Sequence, residues 1–397
     1  MKRLWPGMML LALVADACTG TSTAPSSTTS STTTTSTAGE FAATVTVDEL
    51  GWSVVSLPDE IAAANGTITW TRDELIFWGG EDESTVGVSK GDPGLALSPT
   101  TWTWRRLPPS PREVTFGAAA VWNGSKVIIC CGARSNETVA YEPVSNTWQT
   151  LADSPVRGEY AEAIWDSGDE VMLVVGSSGV ARYDPFRDIW TEFSDPPIPL
   201  GRVNEIAWTG RELIIWPSEV ERHVHSGIAL DPATDTWRVL LDPPAWPAAL
   251  GIEWTGDTLI IWGGLPANSG GSERAVGSRL DLENDQWLPL PEVLPEPDAC
   301  ECNLGSQQLV WTGSELLVWT GWLGSGLDPH DPLLISFRPD TDVWSLVDRS
   351  PTQWGGQAAM TDDRVAVRRG PISGSDQIAI SPSGWQSHGT PLAPISK

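Results

Sequence analysis

The chain has 397 residues, of which 40% are hydrophobic and 19% are charged, so it can bury a large core. Its formal net charge of −27 argues against a nucleic-acid ligand, because phosphate binding requires a basic surface. The counts of 23 Trp, 38 Gly and 32 Pro predict many turns and a repeated structural use of tryptophan.

The first 17 residues have the pattern of a signal peptide. Lys2 and Arg3 precede an apolar run, residues 4–14, which is too short to span a membrane. The run ends in a small-residue site before Cys18 that suits signal peptidase and also resembles the bacterial lipobox. We expect lipidation at Cys18, with free secretion and a retained anchor as the alternatives.

Residues 18–42 are rich in Ser and Thr and cannot build a core, so we expect a disordered tether. A flexible tether directly after a cysteine is typical of a surface lipoprotein. The sequence therefore predicts three parts: a signal peptide over 1–17, the tether over 18–42 and one folded domain over 43–397. We expect an exported protein of the cell envelope, or a secreted one, that contacts the membrane only through a lipid at Cys18.

One pattern recurs seven times along the folded domain, in units of about 50 residues. Its first half is an apolar run that ends in Trp, a turn such as Asn-Gly or Thr-Gly, and a second apolar run, as in residues 67–80. Its second half is an apolar residue before Asp-Pro or a similar pair, four further residues and another Trp, as in residues 183–190. Each unit predicts four short antiparallel strands joined by tight turns.

Seven such units, with no convincing helical periodicity, predict an all-β, seven-bladed β-propeller with four-stranded antiparallel blades. Over about residues 62–391 the units resemble kelch repeats, on the aromatic-Asp-Pro element, the spaced terminal Trp and the Gly-Gly doublets at 79–80 and 263–264. The resemblance implies radial blades around a central channel. Five units lack the doublet, and the seventh has Met360 in place of its first Trp.

The tryptophans occupy equivalent positions in every unit, so we interpret them as packing between blades rather than as ligand contacts. The first Trp of each unit ends the predicted innermost strand: Trp70, Trp122, Trp165, Trp208, Trp254 and Trp311. The last Trp begins the predicted outermost strand: Trp104, Trp148, Trp190, Trp237, Trp287, Trp344 and Trp385.

Trp52 is left over from this count, because its surroundings also resemble an outermost strand. The seventh unit has its own predicted outer strand at Trp385. The segment around Trp52 therefore either supplements the last blade or adds a further outer strand, and both alternatives stay open.

Four cysteines fall within the folded domain. Cys130 and Cys131 are adjacent in a predicted strand, where neighbouring side chains point to opposite faces, so we expect them to be packed rather than bridged to each other. Cys300 and Cys302 lie in a loop that permits a local bridge. Four cysteines allow three pairings, and the sequence does not choose among them.

No phosphate-binding loop, nucleophile elbow or zinc-protease helix is present. Galactose-oxidase-like kelch enzymes bind copper through two His and two Tyr, but the 4 His and 3 Tyr of this chain form no matching motif. We predict no catalytic residue, no metal ligand and no cofactor. A propeller enzyme, carbohydrate-active or a metal-dependent oxidoreductase, is the alternative.

Two places could bind a ligand, because function in repeat rings concentrates in variable loops and at the channel mouth. The loop after the second strand is long in units four to six, and it carries the candidates Arg222, His223, Arg274, Trp322 and His330. On the innermost strand, the position three residues before the Trp or Met is small or polar: Thr67, Ala119, Glu162, Glu205, Gly251, Gln308 and Gln357.

These seven positions form a predicted band facing the channel. The band is either a solvated lining or, at Glu162 and Glu205 from adjacent blades, a site for a cation or polar ligand. Taken together, the sequence favours an exported binding or scaffold protein, expected to be a monomer, whose partner is a protein or a glycan.

Overall fold

The computed structural model describes residues 39–48, 50–58, 66–79, 94–112, 117–132, 135–158, 160–201, 203–218, 226–244, 249–264, 275–291, 307–320, 333–349, 354–360, 364–369, 377–387 and 390–391. The predicted signal peptide, most of the tether and Cys18 lie outside these ranges. Within them, no helix is long and apolar enough to cross a membrane.

The described chain opens with three short strands before the first full blade. They are β1 (Glu40–Ala42), β2 (Val45–Val47) and β3 (Ser53–Ser56). Blade one follows with β4 (Thr67–Trp70), β5 (Leu75–Trp78), β6 (Leu95–Ser98) and β7 (Thr103–Arg106). Blade two contains β8 (Ala119–Trp122), β9 (Val127–Cys130), β10 (Thr138–Glu142) and β11 (Thr147–Leu151).

Blades three to five repeat this order of four strands. Blade three contains β12 (Glu162–Asp166), β13 (Val171–Gly176), β14 (Gly179–Asp184) and β15 (Ile189–Glu192). Blade four contains β16 (Val203–Trp208), β17 (Leu213–Ser218), β18 (Ile228–Asp231) and β19 (Thr236–Val239). Blade five contains β20 (Ala249–Trp254), β21 (Leu259–Gly264), β22 (Ala275–Asp281) and β23 (Gln286–Pro289).

The last two blades complete the chain. Blade six contains β24 (Gln307–Trp311), β25 (Leu316–Thr320), β26 (Leu333–Arg338) and β27 (Val343–Arg349). Blade seven contains β28 (Trp354–Met360), β29 (Val365–Arg369) and β30 (Gln377–Ile380), and β31 (Thr390–Pro391) follows it. Every strand pair is antiparallel, and the strands form seven separate sheets.

The innermost strands β4, β8, β12, β16, β20, β24 and β28 each neighbour the next, and β28 returns to β4. The sheets therefore form a closed ring around a central channel, which confirms the predicted seven-bladed β-propeller. The second strands are continuous apolar runs because they are covered by blades on both faces. In β5 and β9 every residue is buried.

The core lies between blades rather than within one. One cluster joins Ile76 and Trp78 of blade one to Val127, Ile129 and Tyr141 of blade two. Stacking of neighbours thus buries faces that an isolated blade would leave exposed. Tyr141 and Tyr183 are fully buried in these clusters between blades.

The N-terminal strand β3 closes the ring by pairing with β30, with Ser53 opposite Ile380. It supplies the fourth strand of blade seven, and Val54 and Val55 fill its two faces. β2 extends the same sheet outside β3, whereas β1 pairs with β7 of blade one. The N-terminal segment thus contacts the first and the last blade.

The expectation that Trp385 begins the outer strand of blade seven is wrong. Trp385 lies outside the strands, in a Ser- and Pro-containing segment without apolar alternation, and its ring packs against Trp52 at 5.0 Å between centroids. β31 instead adds to β27 of blade six. Of the two alternatives for Trp52, its segment supplements the last blade.

β1 lies in the segment that we assigned to the tether. A strand at a sheet edge is held mainly by backbone hydrogen bonds, so residues 40–42 can pair with β7 in a region of low apolar content. The Phe41 side chain packs against the cluster of blade one, which anchors this pairing.

The outer tryptophans of blades two to six link their blade to the one before it, which confirms their predicted packing role. Their indole N–H groups donate to backbone carbonyls of the segment that leaves the preceding blade. The pairs are Trp148 to Pro108 (2.7 Å), Trp190 to Ala152 (2.9 Å), Trp237 to Ser194 (3.0 Å), Trp287 to Leu241 (2.9 Å) and Trp344 to Pro291 (3.0 Å).

A second inter-blade link comes from the turn residue two positions before the outer Trp. This residue has a positive φ, as in Asp188 (56°) and Asp235 (53°), a conformation that Asn and Asp tolerate. Asp188 accepts a hydrogen bond from the backbone N–H of Ala152, and Asp235 accepts from that of Ser194. The turn therefore shapes its own blade and also holds the preceding one.

Three glycines make room for the tryptophans at the ends of second strands. A Cβ added at Gly94, Gly227 or Gly277 would lie 2.7, 2.4 or 2.5 Å from the Cε3 atom of Trp78, Trp216 or Trp262, respectively. The backbone at the start of the third strand, or directly before it, thus lies against the indole ring in blades one, four and five.

Cys130 and Cys131 form a disulfide bond, contrary to our expectation. The alternation argument fails because β9 ends at Cys130 and Cys131 has a φ of 67°, so the two residues do not share one extended strand. Both cysteines are fully buried. Cys300 and Cys302 lie outside the described residues.

Candidate functional site

The predicted loop candidates Arg222, His223, Arg274, Trp322 and His330 all lie outside the described residues. Their proposed role in ligand binding therefore stays a prediction. The inner-strand candidates Glu162 and Glu205 are described, and they define the site considered below.

The channel contains a cavity of ≈ 380 Å³ lined by the inner strands of blades one to six. Five positions of the predicted band line it, namely Thr67, Ala119, Glu162, Glu205 and Gly251. The side chains of the other two, Gln308 and Gln357, lie outside the described part of the chain. The placement of the band on the channel is thus confirmed for these five.

A third carboxylate, Glu253, also lines the cavity, and it was not among the predicted residues. It lies one residue before Trp254, whereas the predicted band contains only the position three residues before each Trp or Met. Side chains two residues apart in a strand share a face, so this alternation was the signal that could have found it. The equivalent position is apolar in neighbouring blades, as at Ala207 and Val310.

The three carboxylates come from three consecutive blades: Glu162 from β12, Glu205 from β16 and Glu253 from β20. We call them the channel carboxylates. Glu162 is open to the water of the channel, while Glu205 and Glu253 are half-buried. The closed ring of blades surrounds the channel, so these carboxyls reach only the water inside it.

This enclosure favours the neutral form of each carboxyl. Burial raises the pKa of Glu162 to about 8, and the negative charge of Glu205 adds to the effect. Burial raises the pKa of Glu205 to about 7. Burial and the charge of Glu205 raise the pKa of Glu253 to about 8, against the opposing effect of a hydrogen bond from the backbone N–H of Trp311.

Positive charge is missing from the described wall of the cavity, where no Lys, Arg or His contributes. In the part of the chain that the structure describes, no hydrogen bond or ion pair reaches the carboxyl groups of Glu162 and Glu205. Enclosed acidic groups without partners favour a ligand that supplies positive charge or hydrogen-bond donors.

The described residues contain no group of three or more His, Cys, Asp or Glu side chains that could hold a metal ion. The channel carboxylates therefore do not converge on one point. Near neutral pH each carboxyl can be protonated or ionised. The ionised form accepts hydrogen bonds from an ammonium, and the protonated form can also donate one to a hydroxyl oxygen.

A second depression, of ≈ 520 Å³, lies between the hairpins of blades one and two. Two glutamates line it, and Glu142 accepts a hydrogen bond from the Ser145 hydroxyl. Glu74 is paired with Arg105, whose Nε and Nη2 atoms donate to the two carboxylate oxygens at 3.2 and 2.5 Å. Arg105 also donates to Tyr141 and Asn146 of blade two. These contacts link two blades, so the Glu74 carboxylate is already paired and is not available to a ligand as Glu162 and Glu205 are.

No family model and no curated protein matches this chain. Among solved structures, the chain is similar to an oligogalacturonate lyase in complex with manganese, with a TM-score of 0.57 and 12% sequence identity. The similarity covers 86% of this chain and 96% of the other. At this identity the likeness shows the propeller fold alone, and the kelch family stays an interpretation of the repeats.

Proposed function

We propose that this chain is an exported binding protein that takes a small, positively charged ligand into the mouth of its channel. The observation that carries the proposal is the set of three channel carboxylates in a cavity whose described wall has no basic residue. The signal-peptide pattern before Cys18 supports export. The predicted loop candidates would add contacts to a protein or glycan partner at the rim.

A cation is favoured because Glu162 and Glu205 would otherwise ionise with no described partner for the negative charge. A bound ammonium would supply the opposite charge that the channel lacks, and it would lower the pKa of the nearest carboxyl. Binding should therefore release protons near neutral pH, and the affinity should rise with pH until the carboxyls are fully ionised.

The proposal is tested by calorimetric titration of the full chain with organic amines at about pH 9, in parallel with the double variant Glu162→Gln/Glu205→Gln. We expect binding to the wild type and at least tenfold weaker binding to the double variant. Glu192→Gln, which changes an exposed carboxylate at the outer edge of blade three, is the matched control and should bind as the wild type does. Equal affinity in the double variant contradicts the proposal.

Catalysis at the same mouth is the second candidate, because adjacent carboxyls with raised pKa values suit acid–base chemistry. Incubation with a panel of oligosaccharides, followed by chromatography of the products, tests it. The panel should include oligogalacturonates, the substrate class in the name of the similar lyase. Turnover that disappears in the Glu162→Gln/Glu205→Gln variant would favour the enzyme over the binding protein.

A further inference from the structure

The disulfide bond between Cys130 and Cys131 occupies a position that four other blades give to tryptophan. Cys130 lies opposite Ala119, which is the position of the predicted band in blade two. In blades one, four, five and six the residue opposite the band position is a tryptophan: Trp78, Trp216, Trp262 and Trp319. Blade two thus carries a sulfur pair, one strand behind the channel wall, where those blades carry an indole ring.

The chain turns in the same way after both kinds of residue. Gly79, which follows Trp78 in blade one, has a φ of 73°, and Cys131 has a φ of 67°. Glycine adopts this left-handed conformation freely, whereas a residue with a side chain adopts it at a cost. In blade two the disulfide closes a small ring through the Cys130–Cys131 peptide and so restricts the backbone. The bond therefore holds a turn that an unbonded Cys131 would tend to leave.

Both cysteines are fully buried at the boundary between blades two and three. They belong to one cluster with Val156 and Ala161 of the connecting segment and with Val174 of blade three. Two thiols need more room than a bonded sulfur pair, and a close-packed interior offers that room only if neighbouring groups move. Cleavage of the bond would therefore loosen the turn at Cys131 and its contact with blade three together.

Thr138 of β10 gives a second, independent observation. It lies opposite Cys130, and its side chain is fully buried. Its hydroxyl oxygen has no hydrogen-bond partner among the described residues. Opposite residues of an antiparallel pair share a face of the sheet, so this hydroxyl lies on the same side as the Cys130 sulfur. A thiol at Cys130 could donate a hydrogen bond to it, whereas a disulfide sulfur has no proton to donate.

The two redox forms are therefore balanced against each other within the fold. The bonded form fixes the turn and leaves a buried hydroxyl unpaired, which costs free energy. The dithiol form pairs the hydroxyl and releases the turn. We propose that Cys130 and Cys131 form a redox-sensitive latch, which holds the end of β9 against blade three when oxidised and releases it when reduced. The latch does not depend on the ligand proposed above.

The reductant is a dithiol, because the neighbouring latch cysteine would displace a monothiol and close the bond again. One thiolate of the dithiol attacks a latch sulfur, the S–S bond breaks, and a mixed disulfide forms while the other cysteine leaves. The second thiolate of the reductant displaces the first cysteine and closes a cyclic disulfide. In total, two electrons and two protons move from the reductant to the latch. Because both sulfurs are buried, the attack requires local opening of the blade.

The first test uses the full chain with Cys18→Ser, Cys300→Ser and Cys302→Ser, which confines thiol chemistry to the latch. Alkylation and mass spectrometry count the free thiols before and after treatment of the folded protein with dithiothreitol. Hydrogen–deuterium exchange then compares residues 117–132 with residues 249–264 of blade five, which serve as the internal reference. We expect no free thiol before treatment, both thiols after it, and exchange that becomes about fivefold faster in blade two alone.

Three results of this test would overturn the proposal. Free thiols at both cysteines before treatment would show that the bond does not form. Thiols that appear only when the chain unfolds would show a permanent bond rather than a latch. Equal exchange in the two redox forms would show that the bond does not hold this part of the blade.

Thr138→Val tests the balance between the two forms, because it removes the unpaired hydroxyl and keeps the shape of the side chain. The bonded form loses an unsatisfied group and the dithiol form loses a hydrogen bond, so both effects favour the bond. We expect the equilibrium with dithiothreitol to shift about threefold or more toward the disulfide. Thr147→Val, at an exposed position of β11 in the same blade, is the matched control. Equal equilibria in the two variants would contradict the role of Thr138.

Cys131→Gly and Cys131→Ala both remove the bond, and together they separate its effect from that of the turn. Glycine tolerates a φ of 67°, whereas alanine adopts it at a cost. We expect Cys131→Gly to unfold at a higher urea concentration than Cys131→Ala, although it leaves the larger gap, and neither variant to respond to dithiothreitol. A cooperative transition verifies the fold of each variant. A higher midpoint for Cys131→Ala would show that the bond does not hold the turn, and the proposal would fail.

Discussion

The single residue Glu205 makes the stability of the protein depend on pH, because its carboxyl lies inside the channel. Its charge raises the pKa of both Glu162 and Glu253, and its own pKa is about 7. Between about pH 4.5 and pH 8 the folded chain therefore holds protons that the unfolded chain, whose Glu carboxyls have their ordinary pKa of 4.5, has released. The free energy of unfolding must then fall as pH rises from about 4.5 to about 8.

We expect Glu205→Gln to leave the free energy of unfolding unchanged at about pH 4 and to raise it by about 1 kcal/mol at about pH 9. This is smaller than the full pKa shift implies, because water in the channel screens the charge. The described wall has no basic group that would lose a partner. Urea unfolding at both pH values measures the effect, and an equal change at both would contradict it.

Gly227 tests the close packing between backbone and indole. Its Cβ would lie 2.4 Å from Trp216, which is fully buried and has little room to move. We expect Gly227→Ala to lower the free energy of unfolding by about 1–3 kcal/mol through overpacking. Gly168→Ala is the control, because Gly168 lies in an exposed turn beside a carboxylate oxygen. Equal denaturation midpoints for the two variants would show that the packing tolerates the methyl group.

The position of a single side chain was predictable from the sequence where the regular repeat fixed it. Glu162 and Glu205 were placed on the channel because the strand period and the Trp landmark fix the position of a side chain. Glu253 follows the same rule but was not counted. The Cys130–Cys131 bond escaped prediction because it depends on a positive φ at Cys131, just beyond the strand, and no local pattern announces that conformation.

At the scale of elements, β3 is the strand on which ring closure depends. Trp52, directly before it, is fully buried and packs against Trp319 of blade six and against Trp385. We expect Trp52→Ala to cost about 3–5 kcal/mol, the usual loss for a truncated core aromatic. Trp385→Ala should cost less, because Trp385 is half-buried and lies outside the strands.

Chemical denaturation of the two variants measures this difference. A loss for Trp385→Ala as large as that for Trp52→Ala would show that the C-terminal segment, and not β3, carries the closure.

The repeat predicted the strands of blades one to six well, because apolar runs, turns and tryptophans recur in a fixed order. It left closure open because Trp52 and Trp385 both resemble the start of an outer strand. Pairing between the N-terminal and C-terminal segments depends on which segment fits the free edge of β30. That fit is a property of the assembled ring, and a local pattern does not contain it.

At the scale of the whole molecule, the formal net charge of −27 destabilises the folded state, because the excess acidic residues repel one another. We expect the melting temperature at about pH 8 to rise by several degrees when NaCl is increased from about 0.02 to about 0.5 M, because salt screens exposed charges. The rise should be smaller at about pH 4, where many carboxylates are protonated. A salt-independent melting temperature at pH 8 would contradict this.

The pairing of β3 with β30 also has a consequence for how the protein reaches its native state. β3 is synthesised near the start of the ring and β30 near its end, so the ring stays open, with an unpaired edge in blade seven, until most of the chain has been made. Joining two distant chain ends carries a large loop-closure entropy and makes the final step slow. Concentrated refolding therefore favours exchange of β3 between molecules into linked dimers, whereas dilution favours the closed monomer.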